Sequence, residues 1–255
     1  MKRPLRAASN EEVTEDTSAY WRKLLGVDGP VPPGVANSFR SSCSLFRPLL
    51  FFLFGLASRV FFPIKAYGID NIPPGPVMLT PNHVSFLDYP CMAYAMGKRS
   101  WELYAIATKK YVDNPFSKFF MLCAAHVIRI DADADFFTAL RAAAGVLRSG
   151  HSVAIFPEGT RSKTGELQPF KVGVGTLAVE AGVKMVPVYI KGTENILPRG
   201  GRWLKRGKVK IYFGKPVDPA PYIELKKTTP AYDIYKEITE ELRRRVEAFR
   251  DSSKK

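Results

Sequence analysis

A chain of 255 residues, 46% of them hydrophobic, suits one large domain around a single core better than two small ones. Lys and Arg outnumber Asp and Glu by 38 to 24, a formal charge of +14, which favours polyanionic partners: nucleic acid, anionic lipid or an acidic carrier protein. The three cysteines, Cys43, Cys91 and Cys123, make no close pair, which argues against a disulfide framework and for a reducing setting.

Residues 1–40 are polar, carry Pro30, Pro32 and Pro33, and read as a weakly ordered lead-in without the apolar core of a secretory signal. The next block, 41–65, holds the first long apolar stretch, CSLFRPLLFFLFGLASRVFFP. Its uninterrupted part, Pro48 to Ser58, lies between Arg47 and Arg59. As a helix it reaches about 17 Å, short of the roughly 30 Å hydrocarbon core. Crossing a membrane requires both arginines to snorkel far, so the expectation is a helix docked in the interface with its aromatic and aliphatic face in lipid. A buried helix is the plain alternative.

From Pro76 onward, short apolar runs alternate with helix-period segments. Pro76–Thr80, Leu103–Ala107, His126–Ile130, Ser152–Phe156, Met185–Ile190 and Lys208–Phe213 read as strands. Phe136, Leu140, Ala143 and Leu147 recur at helical spacing ahead of Gly150. Gly175–Ala181 reads as a second helix ended by Gly182, and Ile234, Ile238, Leu242, Val246 and Phe249 form the stripe of a last one. The expected fold is α/β, a largely parallel central sheet covered by helices, over residues 66–250, with a frayed tail at 251–255.

The stretch TPNHVSFLDYP, Thr80 to Pro90, follows a predicted strand directly, and open α/β sheets place their sites at the carboxyl ends of strands. Asn82 or Ser85 is expected to cap a helix through Leu87 to Met96. On one continuous helix His83 and Asp88 diverge by about 140°; a turn at His83 lets the carboxylate reach back to the ring. Such a pair can take a proton from an attacking hydroxyl, with the carboxylate fixing the tautomer and stabilising the imidazolium. Backbone N–H groups of the Asn82–Ser85 turn are expected to face the oxyanion. No protein nucleophile is present, so the substrate's own hydroxyl fills that place. A second strand runs into FPEGTRS, which sets Glu158, Gly159, Thr160 and Arg161 on a turn ahead of Lys163 and Lys171. An arginine beside a glycine turn and a hydroxyl suits a phosphate; a solvated loop pairing Glu158 with Arg161 is the bland alternative.

NHxxxxD at Asn82–Asp88 together with FPEGTRS at Phe156–Ser162 resembles the glycerolipid acyltransferase family, which includes the 1-acylglycerol-3-phosphate acyltransferases; the similarity runs from about Gly68 to Pro216. The resemblance implies that His83 and Asp88 are the catalytic pair. It also implies that Glu158, Gly159, Thr160 and Arg161 bind the acceptor's glycerol phosphate, with Lys109 or Lys110 as a further phosphate ligand. Val186–Ile190 resembles the family's final apolar block. One departure stands out: in Ala124–Ile130, Arg129 lies one place earlier than the family's usual arginine.

Three mimics carry less. GHSVA at Gly150–Ala154 has the order helix, serine, strand, the reverse of a nucleophile elbow. GVGTLA at Gly173–Ala178 imitates a dinucleotide fingerprint but lacks a strand before it. His126 and His151 stand at no metal-ligand spacing. The basic run from Pro198 to Lys210 brackets Trp203 and Leu204, which suits an anionic bilayer surface or a solvated hairpin; no nucleic-acid motif accompanies it.

The expected function is transfer of a fatty acyl group from a coenzyme A or acyl-carrier-protein thioester to the free hydroxyl of 1-acylglycerol 3-phosphate, giving phosphatidic acid. Neither metal nor bound cofactor is expected, and the protein is expected on a membrane with its site on the cytoplasmic side. The rivals are the same chemistry on glycerol 3-phosphate or another lyso-lipid, and a non-catalytic lipid-binding scaffold.

Overall fold

The central strands are apolar on both sides, and alternate residues supply two different cores. The computed structural model describes residues 10–29, 47–108, 126–130, 136–201 and 203–253, with the backbone alone for 10–16, 108 and 129. Its strands are β1 (Ile64–Tyr67), β2 (Met78–Pro81), β3 (Leu103–Thr108), β4 (His126–Ile130), β5 (Ser152–Ala154), β6 (Met185–Lys191) and β7 (Val209–Phe213). They form one sheet in the order β1-β7-β6-β2-β5-β3-β4. β6, β2, β5, β3 and β4 run parallel, while β7 pairs antiparallel with β6 and carries β1 parallel to itself. The largely parallel, helix-covered sheet is therefore as expected.

Its helices are α1 (Asn10–Leu25), α2 (Arg47–Phe61), α3 (Asp88–Met96), α4 (Phe136–Arg148), α5 (Gly173–Ala181), α6 (Thr193–Ile196), α7 (Ala220–Leu225) and α8 (Ala231–Ser252). Met78, Tyr104, Val153 and Met185 point into a core shared with Leu25 of α1, Leu140 of α4, Leu177 of α5 and Ile238 of α8. Their strand neighbours Leu79, Leu103, Ala154 and Val186 point the other way, against Tyr89 and Met92 of α3 and the partly buried Phe51 and Phe54 of α2. Cys91 belongs to this second core; Cys43 and Cys123 lie outside the described residues.

The polar lead-in expected over residues 1–40 contains α1, which the sequence reading lacked. Its packing has a definite cause: Trp21 meets Phe137 and Tyr235 with ring centroids 5.8 and 6.5 Å apart, and Leu25 and Val27 are buried. The buried Glu180 of α5 gathers Ser18 of α1 (2.8 Å), Lys226 (2.6 Å) and Tyr235 of α8 (2.5 Å), tying the layer together. β1 was also missed, because Ile64–Tyr67 is short and sits at the sheet edge. GVGTLA proves to be a packing surface: a Cβ on Gly175 would lie 2.3 Å from Thr239 Oγ1 and 2.4 Å from the Tyr235 carbonyl, so the glycine lets α5 approach α8.

Arg47 departs from the snorkelling picture. It is buried, and its guanidinium donates to the carbonyls of Ser100 at 2.7 Å and Trp101 at 3.3 Å. α2 is thus fastened to the protein at its start. Among the described residues no helix is long and apolar enough to cross a membrane.

Candidate active site

Three neighbouring parallel strands, β6, β2 and β5, end side by side, and each delivers polar groups to the same place. β2 delivers His83 to Asp88, β5 delivers Glu158 to Arg161, and β6 delivers Thr193. This is where an open α/β sheet exposes strand-end loops to a ligand.

After β2 the chain turns at His83 and enters α3 only at Asp88. The turn lets the Asp88 carboxylate reach back across five residues: His83 Nδ1 lies 2.9 Å from Oδ2. The backbone N–H groups of Val84 and Ser85 donate to the same oxygen at 2.8 Å each, and the Thr193 hydroxyl donates to Oδ1 at 2.6 Å. Asp88 is 0% exposed, so these donors take the place of water around its two oxygens. With Nδ1–H directed at Asp88, the neutral ring presents an unprotonated Nε2, the arrangement of a general base. The imidazole stacks on Phe156, centroids 3.8 Å apart, and keeps one side open, with 21% of its side chain exposed.

Two expectations for this turn need correction. The backbone amides of His83, Val84 and Ser85 do not face an oxyanion, since each already donates to a carboxylate of Glu158 or Asp88. Neither Asn82 nor Ser85 caps α3 as drawn from the sequence; its N-cap is Leu87, without a side-chain cap. Asn82 instead accepts from Ile190 N–H at 2.7 Å and donates to the Ile190 carbonyl at 3.0 Å, joining the loop to β6. The Ser85 hydroxyl donates to the Leu197 carbonyl at 2.6 Å and accepts from Leu87 N–H at 3.2 Å. Both side chains are buried and hold the loop.

The Phe156–Ser162 turn locks onto the first loop. Glu158 Oε1 accepts from the His83 N–H at 2.9 Å, and Ser162 N–H donates to the His83 carbonyl at 2.7 Å. Gln168 holds Glu158 Oε2 at 2.8 Å with its carboxamide, which also donates to the Thr160 carbonyl at 3.0 Å. Gly159 has φ 75°, a left-handed value that favours glycine; the nearest atom to a Cβ there would be Lys171 Cε at 2.7 Å, on a flexible side chain that can move aside. Thr160 is exposed. Arg161 lies with its guanidinium carbon 3.6 Å from the centroid of the exposed Phe86 ring, and Arg199 Nη1 donates to the Arg161 carbonyl at 2.6 Å. The two loops so meet, with the imidazole on one and the guanidinium on the other.

Glu158 is 5% exposed, and burial pushes its carboxyl up to about 7, against the opposing pull of its hydrogen bonds to His83 and Gln168. The raised value means that protonation favours the folded state: this contribution is complete below the ordinary value of 4.5 and is lost as pH rises through about 7. In urea titrations, the wild-type midpoint should therefore carry a downward component between pH 4.5 and 7, worth on the order of 3 kcal/mol. Glu158→Gln should lack that component; a variant with the same pH slope would show that Glu158 is not its source.

His126, His151 and Ser152 lie elsewhere, at or before the starts of β4 and β5, opposite the strand ends that carry the site. His126 stacks on Tyr104 at 4.7 Å and is pushed down to about 4, chiefly by burial and then by the Arg47 charge. Ser152 Oγ accepts from the Val77 N–H. Lys109 and Lys110 lie outside the described residues, as does the side chain of Arg129. Among the described residues, no group of three His, Cys, Asp or Glu could hold a metal ion.

Thr193, Gln168, Phe86 and Arg199 escaped the sequence reading. Thr193 alone left a usable signal, as a hydroxyl just beyond the carboxyl end of a predicted strand.

A largely parallel sheet with a histidine–aspartate pair and an arginine turn at adjoining strand ends places the chain among the α/β proteins whose sites lie at the carboxyl ends of the strands. The family model described as acyltransferase matches residues 63–191, just over half the chain, and the protein belongs to that acyltransferase family. The chloroplast 1-acyl-sn-glycerol-3-phosphate acyltransferases of Brassica napus and Arabidopsis thaliana are each 32% identical over 161 residues, 62% of this chain and 46% and 44% of theirs. The match thus spans less than half the length of these relatives. The 1-acyl-sn-glycerol-3-phosphate acyltransferase of Bacillus subtilis (strain 168) is 26% identical over 185 residues, 72% of this chain and 86% of its own. The crystal structure of the 1-acyl-sn-glycerophosphate (LPA) acyltransferase PlsC from Thermotoga maritima shares the fold, with a TM-score of 0.62 at 23% identity, covering 95% of this chain and 98% of that one.

Proposed function

We propose that the protein transfers a fatty acyl group from a coenzyme A or acyl-carrier-protein thioester to the free hydroxyl of a 1-acylglycerol 3-phosphate, forming phosphatidic acid. The observation that carries this reading is the His83–Asp88 pair, 2.9 Å apart, on a turn hydrogen-bonded to the Arg161 loop. His83 Nε2 takes the proton of the acceptor hydroxyl as its oxygen attacks the thioester carbonyl. The tetrahedral intermediate collapses, the carbon–sulfur bond breaks, and the proton passes to the departing thiolate. Asp88 holds the tautomer and stabilises the imidazolium between these steps. Arg161 receives the acceptor phosphate at the lip of the site, with the exposed Arg199 beside it as a second cation; guanidinium forks suit phosphate oxygens. Lysophosphatidic acid acyltransferases among the relatives support this choice of acceptor.

The reaction takes place at a membrane surface. Leu49, Phe52, Leu53, Leu56 and Val60 of α2 are all exposed, between 49% and 67%, and their spacing places them on one face. At 15 residues the helix is about 22 Å long, suited to lying along the interface. The loop carrying Trp203, 84% exposed, and Lys205 adjoins its end: Gly207 N–H donates to the Phe61 carbonyl at 3.1 Å. Cations beside an apolar face favour an anionic bilayer. Replacing Phe52 and Leu56 together by glutamate should lower binding to anionic vesicles by 100-fold or more, given about 1.5–3 kcal/mol for each large apolar side chain buried. Unchanged sedimentation with vesicles would remove α2 from the docking surface.

The acceptor is tested with a labelled acyl thioester offered to a panel of lyso-lipids. Product is expected with phosphomonoester acceptors and not with monoacylglycerol. Equal rates with the uncharged acceptor would end the phosphate reading.

A further inference from the structure

We propose that Thr193 is a positioning residue of the His83–Asp88 pair, so that the turn after β6 forms a third wall of the site. The proposal rests on the acyl-transfer reading for its kinetic test and stands apart from it for its spectroscopic one.

The two oxygens of the Asp88 carboxylate are held unequally. His83 Nδ1, Val84 N–H and Ser85 N–H all address Oδ2. Among the described residues Oδ1 has one donor, the Thr193 hydroxyl at 2.6 Å, from 105 positions further along the chain. A carboxylate gripped at one oxygen can still rock about its Cβ–Cγ bond, a broad and roughly two-fold torsion. A donor on the second oxygen fixes the plane, and with it the direction in which Oδ2 meets the imidazole. The contact also sits where water cannot replace it, since Asp88 and Thr193 are both 0% exposed. A charge-assisted hydrogen bond in such a place is strong, and its loss leaves a buried oxygen without its partner.

The hydroxyl is itself held in register. Three positions before it, Ile190 is clamped to Asn82 through both its N–H and its carbonyl. Four positions after it, the Leu197 carbonyl accepts from the Ser85 hydroxyl, and Ser85 bridges to Pro198. The segment from Ile190 to Pro198 is therefore fastened to the His83 loop on both sides of Thr193. A β-branched residue has few χ1 choices, so backbone placement largely decides where this hydroxyl points.

The test compares Thr193→Val, which keeps the shape and removes the donor, with Thr193→Ser, which keeps the donor. Thr193→Val should lower kcat about 10- to 100-fold, the loss expected of one hydrogen bond to a buried charge. The acceptor KM should stay within about twofold, because Thr193 is 0% exposed and closed off from a bound acceptor, and Thr193→Ser should recover most of kcat. In the resting protein the hydrogen-bonded His83 Nδ1–H proton, assigned by its absence in His83→Ala, should give a downfield NMR signal. It should broaden or shift in Thr193→Val and return in Thr193→Ser.

Wild-type kcat together with an unchanged Nδ1–H signal in Thr193→Val would overturn the proposal, as would a loss expressed only in KM. If the wild-type protein acylates no acceptor, the acyl-transfer reading fails and the NMR comparison alone judges Thr193. Should circular dichroism show Thr193→Val unfolded, Thr193→Ala, which only removes atoms, takes its place.

Discussion

His83→Ala is expected to lower acyl transfer about a thousandfold or more, within the range for loss of a general base, while leaving vesicle binding intact. The turn itself should survive the change. Its backbone N–H remains bonded to Glu158 and its carbonyl to Ser162, and neither bond uses the side chain. The fold loses the ring stacked on Phe156, a contact worth roughly 1 kcal/mol, and the Nδ1 contact to Asp88, whose carboxylate keeps the Val84, Ser85 and Thr193 donors. Single-turnover transfer from a labelled thioester reads the effect without interference from product release. Full turnover by the alanine variant would remove His83 as the base, and with it the mechanism proposed above.

Asp88 should show a graded series. In Asp88→Asn the amide oxygen is expected to take the Oδ2 position, because the Val84 and Ser85 N–H groups both require an acceptor there. The amide nitrogen then faces Thr193, whose hydroxyl can accept as readily as it donates. His83 Nδ1–H keeps an acceptor and the tautomer is retained, but the negative charge that stabilises the imidazolium is gone. A loss of about 100-fold in kcat is expected for this change. Asp88→Ala removes the acceptor altogether. It strands two buried amides and the Thr193 hydroxyl, each at about 1–3 kcal/mol, and should be both the less active and the less stable variant. Equal activity of Asp88→Asn and wild type would show that the carboxylate's charge has no part in turnover.

Glu158 illustrates how a residue's neighbours in sequence can differ from its partners in space. Its sequence setting, beside a glycine, a threonine and an arginine, suggested a direct grip on phosphate. The structure turns its two oxygens inward, to the His83 amide and to Gln168, so its contacts place His83 and brace the arginine turn. Asn82 and Ser85 follow the same pattern: both are engaged by the segment that runs from β6 through α6. The polar residues closest to the pair are buried supports, while at the lip Phe86 and Arg199 are exposed and Arg161 partly so.

Local pattern was enough for much of this protein. Apolar runs bounded by turns marked the parallel strands, the Phe136–Leu147 stripe marked α4, and NHVSFLD and FPEGTRS stood where strands end. Each of those signals is contained in a dozen residues or fewer, within reach of periodicity and turn chemistry. Tertiary structure decided the rest. The packing of α1 depends on Trp21 finding Phe137 and Tyr235, and the burial of Arg47 on carbonyls 53 and 54 positions away. The bonds that assemble the site join residues 75, 105 and 112 positions apart. No spacing rule reaches that far, because such contacts arise only once β6, β2 and β5 lie side by side and their ends face the same space.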